Sequence, residues 1–271
     1  MGTELTRRGV GLPDPAWSAA AIDSASETIA AIHREYAAAG ARVHTAATFR
    51  TTTDRVGPSA SRCTRRAVEL ARQNVGVDDA VFGSVGPMSD CYRRDRVADQ
   101  ANGHYREHID ELVVAAVDGI LCETFAEPDD AMLAATIALQ TGLPVWVSVT
   151  AGYRGELMDA DEFASTAMRL SAIGVHCVLL NCVAVGLIDE FLDALEIRRF
   201  HGRFGVYANA GTTRDDVRWS WTAGRDDPGG YAEAAANWLD RGAAVVGGCC
   251  GTTPHHISAV DARCFPVGRR G

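Results

Sequence analysis

Seven short runs of apolar, often β-branched residues recur along the chain. Within each run the apolar character is continuous and does not alternate with polar residues. A continuous run is typical of a strand that is covered on both faces, as in a parallel sheet. We therefore predict parallel strands at residues 41–44, 80–83, 119–122, 145–149, 177–180, 204–207 and 244–246.

Longer stretches with helical spacing of apolar residues separate these runs. Asp159 is a favourable N-cap residue, and Gly40 and Gly174 stand where helices commonly end. His255 and His256 follow Pro254, which starts a further helix, and both are predicted to lie on its surface. The spacing predicts the main helices at residues 24–39, 99–117, 130–139, 159–173 and 230–239.

The alternation of strands and helices indicates an α/β fold. A doubly wound sheet usually carries a glycine-rich phosphate loop after its first strand, but Pro87 interrupts the comparable segment 83–87. We therefore predict a single (β/α)8 TIM barrel over residues 1–271, with its first strand missing or truncated at the N-terminus. In such barrels the functional residues lie on the loops that follow the strand C-termini.

Composition and charge narrow the functional classes. The net charge of −9 argues against a nucleic-acid partner, because phosphate binding needs a basic surface. No apolar run approaches the roughly 18 residues that a membrane helix needs, and no signal peptide precedes the first predicted helix. These features predict a cytoplasmic protein whose eight cysteines are free or bound to metal and not paired in disulfides.

Three of the cysteines occupy strand ends. Cys249 and Cys250 lie between Gly248 and Gly251, and these glycines allow a tight turn that directs both sulfurs at one point. Cys182 ends an earlier predicted strand on the same rim. Three thiolates leave one position of a tetrahedral zinc ion open, which is typical of a catalytic site. We predict buried, inert thiols for the remaining cysteines, Cys63, Cys91, Cys122, Cys177 and Cys264.

Polar residues on the same rim are candidates for substrate contacts. Glu123 follows the strand 119–122, where its carboxylate contacts substrate or favours the start of a helix. Asn181 orients Cys182 or caps a turn, and Asn209 contacts substrate or makes a similar turn; both alternatives are open. Thr48 and Ser84 are small polar residues positioned to line the pocket. Trp219 and Trp221 form an aromatic wall beside a cationic donor or simply pack together.

The ordered set of these segments resembles the homocysteine S-methyltransferase family along essentially the whole chain. The most specific segment is Gly-Gly-Cys-Cys-Gly-Thr-Thr-Pro at residues 247–254, and each of the shorter segments is weaker alone. The segments that carry the resemblance are 1–5, 44–49, 83–87, 118–124, 147–149, 181–182, 207–211 and 247–254.

The resemblance implies a zinc-dependent barrel that methylates homocysteine, giving methionine. The expected methyl donor is S-methylmethionine or S-adenosylmethionine, and the expected assembly is a homo-oligomer. The family's zinc cysteines map onto Cys182, Cys249 and Cys250, and its amino-acid-binding glutamate maps onto Glu123. Two alternatives stay open, namely methylation of selenocysteine or another small thiol, and a non-catalytic relative that binds metal or amino acid.

The sequence departs from the family pattern at three places. In the family, a first strand ending in Asp-Gly-Gly precedes the segment that begins here at Met1, and its aspartate binds the acceptor. An upstream start, a neighbouring segment or subunit that fills the gap, and loss of catalysis are the three explanations, and we expect the first. Ala47 and Arg50 replace residues that are often asparagine and neutral polar in relatives, which bears on the identity of the acceptor.

Overall fold

The computed structural model describes residues 1–95, 97, 99–210 and 227–266. Within this part of the chain, seven parallel strands form one sheet in the order of the sequence. The seven predicted strands are confirmed, and most extend further towards their C-termini than predicted. Their bounds are β1 Val43–Thr45, β2 Ala80–Val85, β3 Gly119–Phe125, β4 Val145–Val149, β5 Cys177–Ala184, β6 Phe204–Asn209 and β7 Val245–Gly248.

Helices connect successive strands, as the pattern predicts. The helices are α1 Gly2–Arg7, α2 Ala21–Ser24, α3 Ser26–Ala38, α4 Thr53–Val56, α5 Ala60–Arg72, α6 Ala101–Val114, α7 Pro128–Leu139, α8 Ala160–Ala172, α9 Ile188–Ile197, α10 Pro228–Asp240 and α11 Pro254–Cys264. The five predicted main helices are present as α3, α6, α7, α8 and α10. The side chain of Asp159 caps α8 by accepting from the Glu162 backbone N–H at 2.8 Å. In the described part of the chain, none is long and apolar enough to cross a membrane.

The surface position predicted for His256 is wrong. Its ring is buried, and its Nδ1 lies 3.1 Å from the backbone N–H of Thr253 and 3.0 Å from that residue's hydroxyl. The histidine therefore closes a capping box at the start of α11. His255 is exposed, as predicted.

The seven-stranded sheet is part of a TIM-like barrel, which agrees with the predicted fold class and the missing first strand, and a closed eight-stranded barrel is not formed by the described residues. β1 and β7 are not paired with each other. Residues before β1 form helices, and Glu4 favours α1 through ion pairs with Arg7 and Arg8 one turn away. A cavity of about 550 Å³ lies against one face of the sheet and is lined by residues of all seven strands, Phe82, Leu121 and Leu179 among them.

Two strands carry an extra residue at their C-terminal ends. The β3–β4 register shifts between Cys122 and Phe125, and the β5–β6 register shifts between Asn181 and Ala184. Within these bulges Thr124 has a φ of +67° and Cys182 a φ of +54°, a conformation that non-glycine residues seldom adopt. Bulges bend a strand and redirect its side chains, so both distortions change the direction of side chains at the C-terminal rim of the sheet.

Tyr231 on α10 links β6 and β7 below the loop of residues 248–251, which is called the cysteine loop below. Its hydroxyl lies 3.0 Å from the carbonyl oxygen of Ala208 in β6 and 2.7 Å from that of Gly247 in β7. The phenol ring packs edge-on against Trp238 and His256. One buried donor therefore serves two strand-end carbonyls, and it holds β6 and β7 together where the loop begins.

Replacing Tyr231 with phenylalanine should lower the free energy of unfolding by about 1–3 kcal/mol, because two buried carbonyls lose their shared donor while the ring remains. Urea unfolding monitored by circular dichroism measures the change. Val77→Ala, at a position that is 97% exposed, is the control and should stay within about 0.5 kcal/mol of the parent. A Tyr231→Phe protein as stable as this control would contradict the linking role.

Candidate functional site

Three thiols meet at the C-terminal rim of the sheet. The sulfur of Cys182, at the end of β5, lies 2.8 Å from that of Cys249 and 3.9 Å from that of Cys250. All three sulfurs lie within 4.8 Å of one another, an arrangement that could hold a metal ion. Two thiolates on one tetrahedral zinc ion are about 3.8 Å apart. The Cys182–Cys250 distance matches this spacing, whereas the sulfurs of Cys182 and Cys249 would have to move apart to share an ion, so it is the three-sulfur donor set that suits zinc.

The glycines of the cysteine loop are required by close contacts. A Cβ added to Gly248 would lie 2.4 Å from the hydroxyl oxygen of Thr252, and one added to Gly251 would lie 2.0 Å from the carbonyl oxygen of Ala210. Gly251 also has a φ of +83°. The turn that directs both Cys249 and Cys250 towards Cys182 therefore depends on residues without side chains.

Hydrogen bonds among the three thiols shift the pKa values of Cys182 and Cys250 in opposite directions. Bonds to Cys249 and Cys250, together with burial, raise the pKa of Cys182 well above its usual range. Bonds from Cys182 and Cys249 lower the pKa of Cys250 well below that range. A cation bound between the three sulfurs would favour the thiolate form of each, because it would stabilise their negative charge.

Asn181 connects the thiols to the neighbouring strands. Its Nδ2 donates to the Thr124 hydroxyl at 2.8 Å and lies 3.8 Å from the sulfur of Cys249, while its Oδ1 accepts from the Ser148 hydroxyl at 2.8 Å. All of these contacts are side-chain contacts across β3, β4, β5 and the cysteine loop. The amide thus contacts the thiol of Cys249 and not that of Cys182, and its role in orienting a metal ligand stays a prediction.

Glu123 is held at the same rim by two hydroxyl groups. The hydroxyl of Ser84 donates to one carboxylate oxygen, and the Tyr207 hydroxyl donates to the other at 3.2 Å. Burial raises the pKa of Glu123 to about 7. The Tyr207 hydroxyl is also 2.5 Å from that of Ser148, so a chain of close polar contacts runs from Glu123 to Asn181, and the two hydroxyl protons fill two of its three links at a time. A buried carboxylate with fixed oxygens is suited to bind a small cationic group.

The remaining predicted pocket residues have structural contacts. The Thr48 hydroxyl accepts from the Ser84 backbone N–H at 2.8 Å and lies 2.9 Å from the Ser84 carbonyl oxygen, so it joins the ends of β1 and β2. Asn209 accepts from the Cys250 backbone N–H at 3.1 Å and thereby supports the loop. Its Nδ2 is buried without a partner among the described residues. Substrate contacts by Thr48, Ser84 and Asn209 stay predictions.

Sequence reasoning missed several residues of the site. Thr124, Ser148 and Tyr207 are polar residues in otherwise apolar strands, and that exception was the available signal. Burial, followed by negative charge on Cys182 and Cys250, raises the pKa of Tyr92 well above its usual range. The ring of Tyr92 stacks on that of Tyr153, with ring centres 4.2 Å apart. No periodic pattern marks these two tyrosines, since they lie in irregular loops. Trp219 and Trp221 lie outside the described residues.

The predicted inert cysteines differ in their surroundings. Cys63, Cys122 and Cys177 are buried, as predicted. Cys91 and Cys264 are only partly buried, and Cys91 lies near enough to Cys249 for their charges to interact. Cys91 is therefore a neighbour of the thiol cluster, which its sequence context did not indicate.

Comparison with known proteins identifies the family. The family model described as homocysteine S-methyltransferase matches residues 1–264. A homocysteine S-methyltransferase of Escherichia coli is 28% identical over 97% of this chain and 93% of the relative. A selenocysteine methyltransferase of Astragalus bisulcatus is 25% identical over 96% of this chain and 89% of the relative.

A solved structure shows the same fold. The metallated form of the homocysteine methyltransferase MmuM from Escherichia coli superposes with a TM-score of 0.78 at 24% identity, covering 97% of this chain and 93% of that one. The resemblance seen in the sequence is thus confirmed by a family model over nearly the whole chain. The chain belongs to the homocysteine S-methyltransferase family, and it is an S-methyltransferase enzyme.

Proposed function

We propose that the protein uses zinc and transfers a methyl group to the thiol of homocysteine, giving methionine. The observation that carries this proposal is the presence, on one rim, of three converging thiols and a buried carboxylate. The thiols of Cys182, Cys249 and Cys250 would hold the metal, and Glu123 would bind the acceptor's ammonium group. The names of the relatives support homocysteine as acceptor.

Zinc held by three thiolates would supply an open coordination position that keeps the acceptor sulfur deprotonated at neutral pH. The chain's own residues prepare this site. Asn181 orients the sulfur of Cys249, and Asn209 fixes the backbone of Cys250. Ser84 and Tyr207 keep both oxygens of Glu123 in place, so the ammonium of the acceptor meets a preorganised carboxylate.

The donor in this proposal carries its methyl group on a positive sulfur or nitrogen, as in S-methylmethionine or S-adenosylmethionine. The acceptor sulfur forms a bond to the methyl carbon while the donor's bond breaks, and the donor leaves as a neutral molecule with the electron pair. This displacement requires alignment and no acid or base. The stacked rings of Tyr92 and Tyr153 lie near the thiols and offer aromatic faces to a cationic donor.

A second acceptor is favoured by one comparison. The Astragalus relative is named a selenocysteine methyltransferase and matches nearly the whole chain. A selenolate would use the same metal position and the same contact with Glu123. Competition between homocysteine and selenocysteine for a limiting donor would distinguish the two acceptors.

Three other expectations accompany the proposal. We place the reaction in the cytoplasm, because the thiol cluster acts as a metal site only while its cysteines are reduced. The assignment of residues 1–271 to one domain and the formation of a homo-oligomer stay predictions.

Replacing Cys249 with serine should reduce bound zinc from about one ion per chain to a small fraction, since two sulfurs and a hydroxyl make a poor site. Methionine formation should fall at least about a hundredfold, because metal-ligand loss removes activation of the acceptor. Metal analysis and a donor panel with homocysteine measure both effects. Cys264→Ser, on α11, is the control and should keep zinc and activity; a metal-free Cys249→Ser protein with full activity would sink the zinc proposal.

Replacing Glu123 with glutamine should raise the KM for homocysteine about 10- to 100-fold, because a charged partner of the ammonium group becomes neutral. Zinc content should stay that of the parent, since Glu123 does not touch a thiol. Steady-state kinetics with varied homocysteine provide the measurement. An unchanged KM would show that the acceptor's ammonium group binds elsewhere. Glu127→Gln is the control, because Glu127 stands at the N-cap of α7 and pairs with Arg94 at 3.3 Å.

A further inference from the structure

Arg50 lies in the loop that follows β1, two residues after Thr48. Its guanidinium is partly buried and stacks 4.8 Å from the centre of the Phe49 ring. It makes one long hydrogen bond, from Nη1 to the carbonyl oxygen of Pro87 at 3.4 Å. A guanidinium carries five N–H donors, so most of its capacity is unused by these contacts.

The carboxylates near Arg50 are engaged elsewhere. In the part of the chain that the structure describes, no Asp or Glu side chain forms an ion pair with Arg50. Asp54 pairs with Arg55 at 3.0 Å and with His104 at 3.4 Å. Asp90 accepts from the backbone N–H of Tyr92 at 2.9 Å. Both acids influence Arg50 only through longer-range charge.

An arginine in this environment is costly for the protein. Burial lowers the pKa of the Arg50 guanidinium, because the charged form loses contact with water. Buried charges are usually paired, because an unpaired one lowers the free energy of unfolding. An unpaired guanidinium in a partly buried position is therefore a candidate to bind a ligand of opposite charge. Arg55 provides the contrast, since it has an acid partner and donates to the Met88 carbonyl oxygen at 2.7 Å.

Contacts join the Arg50 loop to the residues that hold Glu123. The hydroxyl of Thr48, two residues before Arg50, donates to the Ser84 carbonyl oxygen at 2.9 Å, and the Ser84 hydroxyl donates to the carboxylate of Glu123. The guanidinium itself donates to the carbonyl oxygen of Pro87, three residues after Ser84. Arg50 therefore lies on the rim of the sheet that carries Glu123 and the three thiols.

We propose that Arg50 binds the carboxylate of an amino-acid substrate in the thiol site. This inference rests on the proposed function and deepens it by naming a recognition residue. The guanidinium matches a carboxylate in shape and charge, and a bidentate contact would use donors that are now free. With Glu123 for an ammonium group, the site presents one group of each sign, as zwitterionic substrates require.

Two substrates could supply this carboxylate. Homocysteine carries one as acceptor, and S-methylmethionine carries one as donor. The methyl ester of each keeps the ammonium group and the sulfur but loses the negative charge. A comparison of acid and ester therefore isolates the carboxylate contact and shows which substrate makes it.

The experiment measures dissociation constants by calorimetry for the zinc-loaded protein with each acid and each ester. The parent should bind one of the two acids at least about tenfold more tightly than its ester, as expected for a charged hydrogen-bonded pair. Arg50→Gln should bring that ratio close to one, and Arg50→Lys should leave an intermediate ratio, because it keeps the charge and loses the fork. Arg55→Gln is the matched control and should keep the parent's ratio.

The outcomes separate this inference from the function on which it rests. A parent that does not prefer either acid, or an Arg50→Gln protein that keeps the full preference, overturns the role of Arg50. If Arg50→Gln does not fold, Arg50→Lys decides, and an unchanged ratio in that variant also overturns it. A preference that depends on Arg50 in a protein that forms no methionine with any donor would refute the proposed function and keep the carboxylate site.

Discussion

The convergence of three sulfurs on one point is the constraint that the rest of the site depends on. It requires a positive φ at Cys182, a bulge at the end of β5, and a loop in which Gly248 and Gly251 have no room for a side chain. Backbone conformations of this kind raise the energy of the chain and persist only where the surroundings impose them. Here the parallel pairing of β5, β6 and β7 supplies those surroundings, because it places the C-terminal ends of the three strands, with Cys182 and the cysteine loop, side by side.

A buried network of hydroxyl and amide groups connects this cluster to the carboxylate beside it. The contacts run from Ser84 through Glu123, Tyr207 and Ser148 to Asn181, whose amide lies beside Cys249. Each member is hydrogen-bonded, which offsets part of the desolvation cost that raises the pKa of Glu123. The distance between the thiol cluster and the Glu123 carboxylate is determined by the sheet itself. In the proposed function, a small amino acid that bridges the two groups would meet a site that is already assembled.

Much of the fold followed from local patterns. The seven strands were identified because strands that are buried on both faces read as continuous apolar runs, and the start of α8 was marked by Asp159. Helices α5 and α9 were not predicted, although the buried Cys63, Ala67 and Leu70 of α5 have the spacing of one helical face. The missing first strand was expected from the family resemblance, whereas the helices before β1 and the unpaired edges of β1 and β7 depend on long-range contacts that no local pattern encodes.

The sequence by itself predicted which three thiols lie together, because adjacent cysteines between glycines and a third cysteine at a strand end are typical of a metal site. It also indicated the family, through the order of its segments. Only the tertiary structure decided how these residues are held: which hydroxyls contact Glu123, which thiol Asn181 touches, and that the partly buried Arg50 has no acid partner among the described residues. These are contacts between residues far apart in the chain, and the pairing of strands alone brings them within reach.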